Sequence, residues 1–180
     1  MTELSISQSQ IKNYKNFTTI RISGIVEESI VDGPGIRLVV FTQGCNHNCP
    51  ECHNPHTHDF NGGYEIDIDE IIELVKNNPL LDGITLSGGE PFDQAESCSN
   101  LADLIKSMGL NVITYTGYTY EVLTQNINYM KLLEKTDLLI DGRFDIAKKD
   151  LTLDFRGSSN QRIIDTIKSL ENNNIHIARR

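Results

Sequence analysis

The chain has 180 residues, 38% hydrophobic and 23% charged, and a net charge of -9 at pH 7. That size is enough for one domain with a real core, and the acidic balance, with no block of Lys or Arg, argues against nucleic acid as a partner. No apolar run approaches a membrane span and Met1 to Phe17 is polar, without the regions of a secretion signal, so the expectation is a cytoplasmic protein of one domain over 1–180, with residues 1–16 as a polar extension and no contact with membranes.

In chain order, Thr18 to Val26 is rich in β-branched side chains and predicts a strand, followed by a turn at Asp32-Gly33-Pro34-Gly35. Ile36 to Phe41 is nearly all apolar, the pattern of a strand buried on both faces of a parallel sheet. The loop that leaves it, Gly44 to Asn54, carries Cys45, Cys49 and Cys52 in a C-x3-C-x2-C spacing. Asp67 and Glu70 fit a capping box ahead of a helix with Ile68, Ile71, Ile72 and Val75 on one stripe, ending near Asn77-Asn78-Pro79. Ile84-Thr85-Leu86 predicts a strand, Ser87-Gly88-Gly89-Glu90-Pro91 a loop, and the stretch from about Asp93 a helix with Leu101, Leu104, Ile105 and Met108 inward and Gly109 as its stop. Leu110 to Tyr115 and Asp137 to Ile140 predict two more strands, separated by a helix over Tyr120 to Lys135 that can break at Asn126-Ile127-Asn128. Gln161 to Leu170 fits a helix, with Ile163, Ile164, Ile167 and Leu170 on a stripe, or a short strand and a turn; the helix is the preferred reading.

Strands that alternate with amphipathic helices imply right-handed βαβ units and a parallel sheet. About five strands are too few to close an eight-stranded barrel, so the expected fold is α/β, a partial (β/α) barrel open on one side, with its site on the loops beyond the C-terminal strand ends.

Three thiolates in one loop suit a compact soft metal centre, and as ligands of a four-iron cubane they leave one iron open. A closed zinc site of Cys45, Cys49 and Cys52 with one of His47, His53, His56 or His58 is the alternative. Cys98 shares a helical stripe with Leu101, Ile105 and Met108 and reads as a buried core thiol. His47, His56 and His58 read as solvated loop residues. Gly88 and Gly89 let a backbone approach a ligand without a Cβ in the way, and Pro91 biases Glu90 to an extended conformation, so a polar amino-acid group could be held by backbone carbonyls and the Glu90 carboxylate.

C-x3-C-x2-C after an apolar strand, followed by Gly88-Gly89-Glu90-Pro91, resembles the radical S-adenosylmethionine (SAM) enzymes. The resemblance implies that Cys45, Cys49 and Cys52 each hold one iron of a [4Fe-4S] cluster and that SAM chelates the fourth through its amino and carboxylate groups. It further places Ser87, Gly88, Gly89 and Glu90 at the SAM amino group, Asp141 and Arg143 along its carboxylate, and Thr116 in the same site. Val31-Asp32-Gly33-Pro34-Gly35-Ile36-Arg37 and Cys52-His53-Asn54 look like the activases of glycyl radical enzymes. Tyr115-Thr116-Gly117-Tyr118, Asp141-Gly142-Arg143-Phe144 and Arg156-Gly157-Ser158-Ser159-Asn160-Gln161 are similar to those that act on anaerobic ribonucleoside-triphosphate reductase. The chain departs from this pattern at Glu51, where many such loops carry an aromatic residue, and at Thr114-Tyr115-Thr116, which lacks the acidic residue of larger activases.

What the resemblance implies is reductive cleavage of SAM by the cluster, with an electron from a low-potential donor such as flavodoxin or ferredoxin, and hydrogen abstraction from one glycine of the reductase. Asp32, Arg37 and His53 are the expected docking surface for that partner. The alternatives are an activase of another glycyl radical enzyme such as pyruvate formate-lyase, a radical SAM enzyme with a small deazaguanine-type substrate, and a non-enzymatic zinc or iron-sulfur module.

Overall fold

Parallel strands dominate the middle of the sheet and antiparallel ones its edges. The computed structural model describes residues 18–178, and the polar extension at 1–16 lies outside them. The strands are β1 (Thr19–Ser29), β2 (Arg37–Thr42), β3 (Tyr64–Asp67), β4 (Gly83–Gly88), β5 (Asn111–Tyr115), β6 (Leu138–Asp141) and β7 (Arg162–Asp165). The helices are α1 (Ile68–Asn77), α2 (Ala95–Ser107), α3 (Tyr120–Leu123), α4 (Ile127–Leu133) and α5 (Thr166–Asn172). The sheet runs β3-β1-β2-β4-β5-β6-β7. Neighbours from β2 through β6 are parallel, whereas β1 is antiparallel to both β2 and β3, and β7 is antiparallel to β6.

All five sequence-predicted strands form, but the first is not part of the parallel set. The segment between β1 and β2 is too short to carry a crossover helix, so the chain returns antiparallel. Of the two further edge strands, β3 was missed and β7 was only the alternative reading. β3 has four mostly exposed residues and so shows no buried alternation. At Arg162–Asp165 the preferred helix is replaced by β7 and then α5, because the Asp165 side chain accepts from Lys168 N and caps a helix that can begin only at Thr166. The capping box at Asp67 and Glu70 is present, and the stretch after Tyr120 does break, with the Asn126 side chain capping α4. Met108, expected inward, is 38% exposed, since α2 ends at Ser107 and Gly109 turns the chain away at φ 79°.

Side chains alternate across each strand, so the sheet has two distinct faces. Leu38, Val40, Ile84, Leu86, Val112, Leu139 and Ile164 pack with Ile71 and Val75 of α1, Leu101 and Ile105 of α2, and Leu132 and Leu133 of α4. Each of these fully shielded aliphatic side chains contributes about 1.5–3 kcal/mol. The opposite face carries Val39, Phe41, Thr85, Ser87, Ile113 and Tyr115 on alternate positions of β2, β4 and β5. Its N-terminal end is covered by the turn that precedes β2: Thr85 Oγ1 donates to Asp32 O at 2.8 Å, and a Cβ on Gly33 would lie 2.5 Å from the Ile113 side chain.

Arg37 fastens that cover. Its guanidinium is fully buried and donates to Thr85 Oγ1 and Asn111 Oδ1, both at 2.7 Å, to Pro34 O at 3.2 Å, and to Ile84 O. Burial lowers its pKa to about 10. The expectation that Arg37 belongs to a docking surface is therefore corrected: it lies under the turn, across the starts of β4 and β5. Arg37→Met should leave these acceptors without a donor and lower the unfolding free energy by about 3 kcal/mol, measured by urea denaturation.

Candidate functional site

The C-terminal ends of β2, β4, β5 and β6 converge on the cysteine loop. That loop is closed at its base by Gly44 N to Thr57 O at 2.8 Å and Cys45 N to His58 O at 3.2 Å, and Gln43 Nε2 donates across it to His56 O and Asp59 O. Cys45, Cys49 and Cys52 are half-buried, and all three line one cavity of about 130 Å³ with Ser87, Gly88, Gly89, Thr116 and Gly117. Among the described residues no three His, Cys, Asp or Glu groups are drawn close enough to bind a single metal ion. Burial pushes the Cys45 thiol up to about 11, and Cys98, enclosed in the helix-side core as expected, up to about 12. Two residues of the loop, Asn48 and Glu51, take left-handed backbone at φ 47° and 55°. Asn tolerates this locally, while Glu51, which is exposed, sits in a conformation that favours glycine.

The two glycines of Gly88-Gly89 serve the chain as well as any ligand. Gly89 N donates to Thr42 O and Glu90 N to Gly44 O, each at 2.8 Å, so the end of β4 is hydrogen-bonded to the chain on either side of Gln43. A Cβ on Gly89 would collide with the Gly44 carbonyl oxygen, and one on Gly88 would lie 2.7 Å from Phe41 Cα. Sequence reasoning read these glycines as a turn that lets a ligand approach the backbone. Strand-to-strand contact is an additional reason for them, and it required the parallel register of β2 and β4.

Glu90 lies beneath the cavity. Its carboxylate is fully buried and is met by Thr116 Oγ1 at 2.9 Å, Gly117 N at 2.8 Å, Phe92 N at 3.0 Å and His47 Nε2 at 2.8 Å. His47, read from sequence as solvated, is instead pinned: its ring packs edge-on to Tyr118 at 4.5 Å, and the Arg143 guanidinium donates to its carbonyl. Nothing in the sequence separates His47 from the other loop histidines.

Asp141 and Arg143 line a second cavity of about 670 Å³ that also reaches Cys49, Pro50 and Phe144. Asp141 is buried, accepts from Tyr120 N and Arg162 Nε at 2.8 Å each, and pairs again with Arg162 through Nη2. Arg162 extends this pair to Glu121, whose carboxyl it holds down at about 2. Arg143 is exposed, so of the two it is the one with donors to offer a ligand. A third cavity, of about 430 Å³, shares His53, Ser87, Tyr115 and Phe144 with the cysteine cavity and is lined further by Asp32 and Arg156. Arg156 Nε is shielded from solvent and has no hydrogen-bond partner among the described residues.

The donor set fits a cluster with one open iron. The three loop thiols line a single cavity together with His47, His53 and His58, and the Gly88-Gly89 turn adjoins it; His47 is already engaged by Glu90, whereas the three thiols in one loop supply the three thiolates that such a cluster takes.

A sequence model of the 4Fe-4S single cluster domain family matches residues 31–164. The pyruvate formate-lyase-activating enzyme of Clostridium pasteurianum is 37% identical over 161 residues, 84% of this chain and 63% of that one, so this chain spans under two thirds of its length. The anaerobic ribonucleoside-triphosphate reductase-activating protein of Escherichia coli (strain K12) is 35% identical over 144 residues, 73% of this chain and 90% of that one. Among solved structures, QueE from Escherichia coli aligns over 63% of this chain and 58% of its own, at 15% identity and a TM-score of 0.47, too loose a match to bear on fold or activity.

Two outcomes are expected from the site geometry. Gly89→Val should reduce iron incorporation and SAM binding together, because the added side chain displaces Gly44 next to Cys45; both are read after anaerobic reconstitution, and loss of SAM affinity at full iron content would contradict it. A thiol reagent at neutral pH should label the loop cysteines of the iron-free chain and reach Cys98 only after unfolding, as followed by mass spectrometry.

Proposed function

This chain belongs to the family of anaerobic ribonucleoside-triphosphate reductase-activating proteins, radical SAM proteins with a single 4Fe-4S cluster, and we propose that it generates a glycyl radical on such a reductase. The observation that carries the reading is the shared cavity of Cys45, Cys49, Cys52, Ser87, Gly88 and Gly89. In this reading Cys45, Cys49 and Cys52 hold the cluster, backbone carbonyls of the Ser87–Gly89 turn receive the SAM ammonium, and the exposed Arg143 guanidinium meets the SAM carboxylate. When bound, cluster and SAM supply one-electron cleavage of a carbon-sulfur bond and an adenosyl group able to take hydrogen from a glycine Cα.

The protein's own contribution is placement and exclusion of water. Thr116 and Gly117 are fixed by Glu90, which holds the end of β5 against the cysteine loop. The third cavity is the approach for the glycine-bearing loop: it adjoins the cysteines through Ser87 and Tyr115, and the unpartnered Arg156 Nε–H can donate to a main-chain carbonyl there. Asp32 and His53 line this approach and remain candidates for docking. The sheet, whose edge strands β3 and β7 do not pair with each other, is read as a partial barrel open on that side. One domain, a cytoplasmic setting and a flavodoxin- or ferredoxin-type electron donor complete the proposal. No helix among the described residues is long and apolar enough to cross a membrane.

The similarity to the Clostridium enzyme favours pyruvate formate-lyase as the second reading for the partner. The two separate in one experiment. Reduced, reconstituted protein with SAM and each candidate partner should give a glycine-centred doublet by electron paramagnetic resonance in the anaerobic reductase, with about one SAM cleaved per radical. A doublet in pyruvate formate-lyase alone would reassign the partner. Cys45→Ala, Cys49→Ala and Cys52→Ala should each abolish both signal and cluster, and Cys98→Ala should keep both.

A further inference from the structure

We propose that His47 and Glu90 form a buried clip that positions the cysteine loop on the SAM-binding turns, and that Glu90 is a positioning residue and not the acceptor for the SAM ammonium. The inference rests on the reading that cluster and SAM occupy these loops.

A carboxylate has about four acceptor directions, and here four donors from three segments fill them. Phe92 N and Thr116 Oγ1 meet Oε1, and Gly117 N and His47 Nε2 meet Oε2. With Glu90 fully buried, an incoming ammonium would have to displace one of these donors and leave it unsatisfied, at a cost comparable to what it gained. His47 is the one donor that belongs to the cysteine loop. A Cβ on Gly117 would collide with its ring, so the clip also requires glycine at that turn. Together with the Tyr118 ring and the Arg143 contact to its carbonyl, this holds the Cys45–Cys49 segment to the ends of β4, β5 and β6 at one point.

The clip predicts that the two residues act as one unit. Glu90→Gln puts an amide donor against other donors on one side of the clip, and His47→Ala removes the loop's share of it. In the reconstituted full-length chain each variant should weaken SAM binding by about tenfold, the size of one hydrogen bond to a charged group. Each should also shift the g-values of the reduced cluster before SAM is added. The double variant should be no worse than either single one. His47→Gln, which can restore a donor, should recover most of both properties. Thermal unfolding of the iron-free chain shows whether each variant has folded, and His47→Gln carries the test if His47→Ala has not.

The proposal is overturned if Glu90→Gln weakens SAM binding while the SAM-free cluster spectrum stays unchanged, or if the two losses add, since Glu90 would then contact SAM directly. None of these readouts involves a partner protein, so failure of the clip is distinguishable from failure of the glycyl radical assignment.

Discussion

A carboxylate removed from water must be met by donors, and Glu90 meets this constraint by drawing three chain segments together. Its neighbours are the cysteine loop through His47, the turn after β4 through Phe92, and the turn after β5 through Thr116 and Gly117. Breaking one such bond would leave a buried charge under-satisfied, which is more costly than losing an exposed contact. The loops of the site are therefore held through a carboxylate that does not itself line the cavity, whose walls include the three thiols and the Gly88-Gly89 turn.

The sheet separates stability from chemistry by face and by end. Aliphatic side chains on one face pack against α1, α2 and α4 and supply most of the apolar burial. On the other face the starts of β4 and β5 are covered by the turn before β2 and tied by Arg37, whereas the far ends open into the cysteine cavity. Parallel strands put all their C-terminal ends on one side, so successive loops contribute to one site without long excursions. The antiparallel strands at the edges, β1 with β3 and β7, extend the sheet beyond the parallel set.

Histidines within one loop show how far residue type alone can be taken. His47 is pinned by Glu90 and Tyr118, whereas His53 and His56 are exposed. The four share composition and neighbourhood in the chain, so only the fold separates them. Arg37 makes the same point in reverse: a charged residue at the start of a strand is usually at the surface, yet here the guanidinium is buried and makes five hydrogen bonds to protein oxygens.

The sequence by itself determined the elements whose signal is local. The apolar run of β2, the stripe of α1 with its Asp67–Glu70 box, the break before α4 and the burial of Cys98 follow from periodicity and capping within a few residues. The spacing of Cys45, Cys49 and Cys52 is equally local, because ligands in one loop need no tertiary information to be recognised as a set. Tertiary structure alone decided the direction of β1, the existence of β3, the choice of strand over helix at β7, and the partners of Glu90, Asp141, Arg37 and His47. These depend on which strand lies beside which, and most of the hydrogen-bond partners of the buried charges come from residues 21 to 74 positions away in the chain, a distance over which no sequence period carries information.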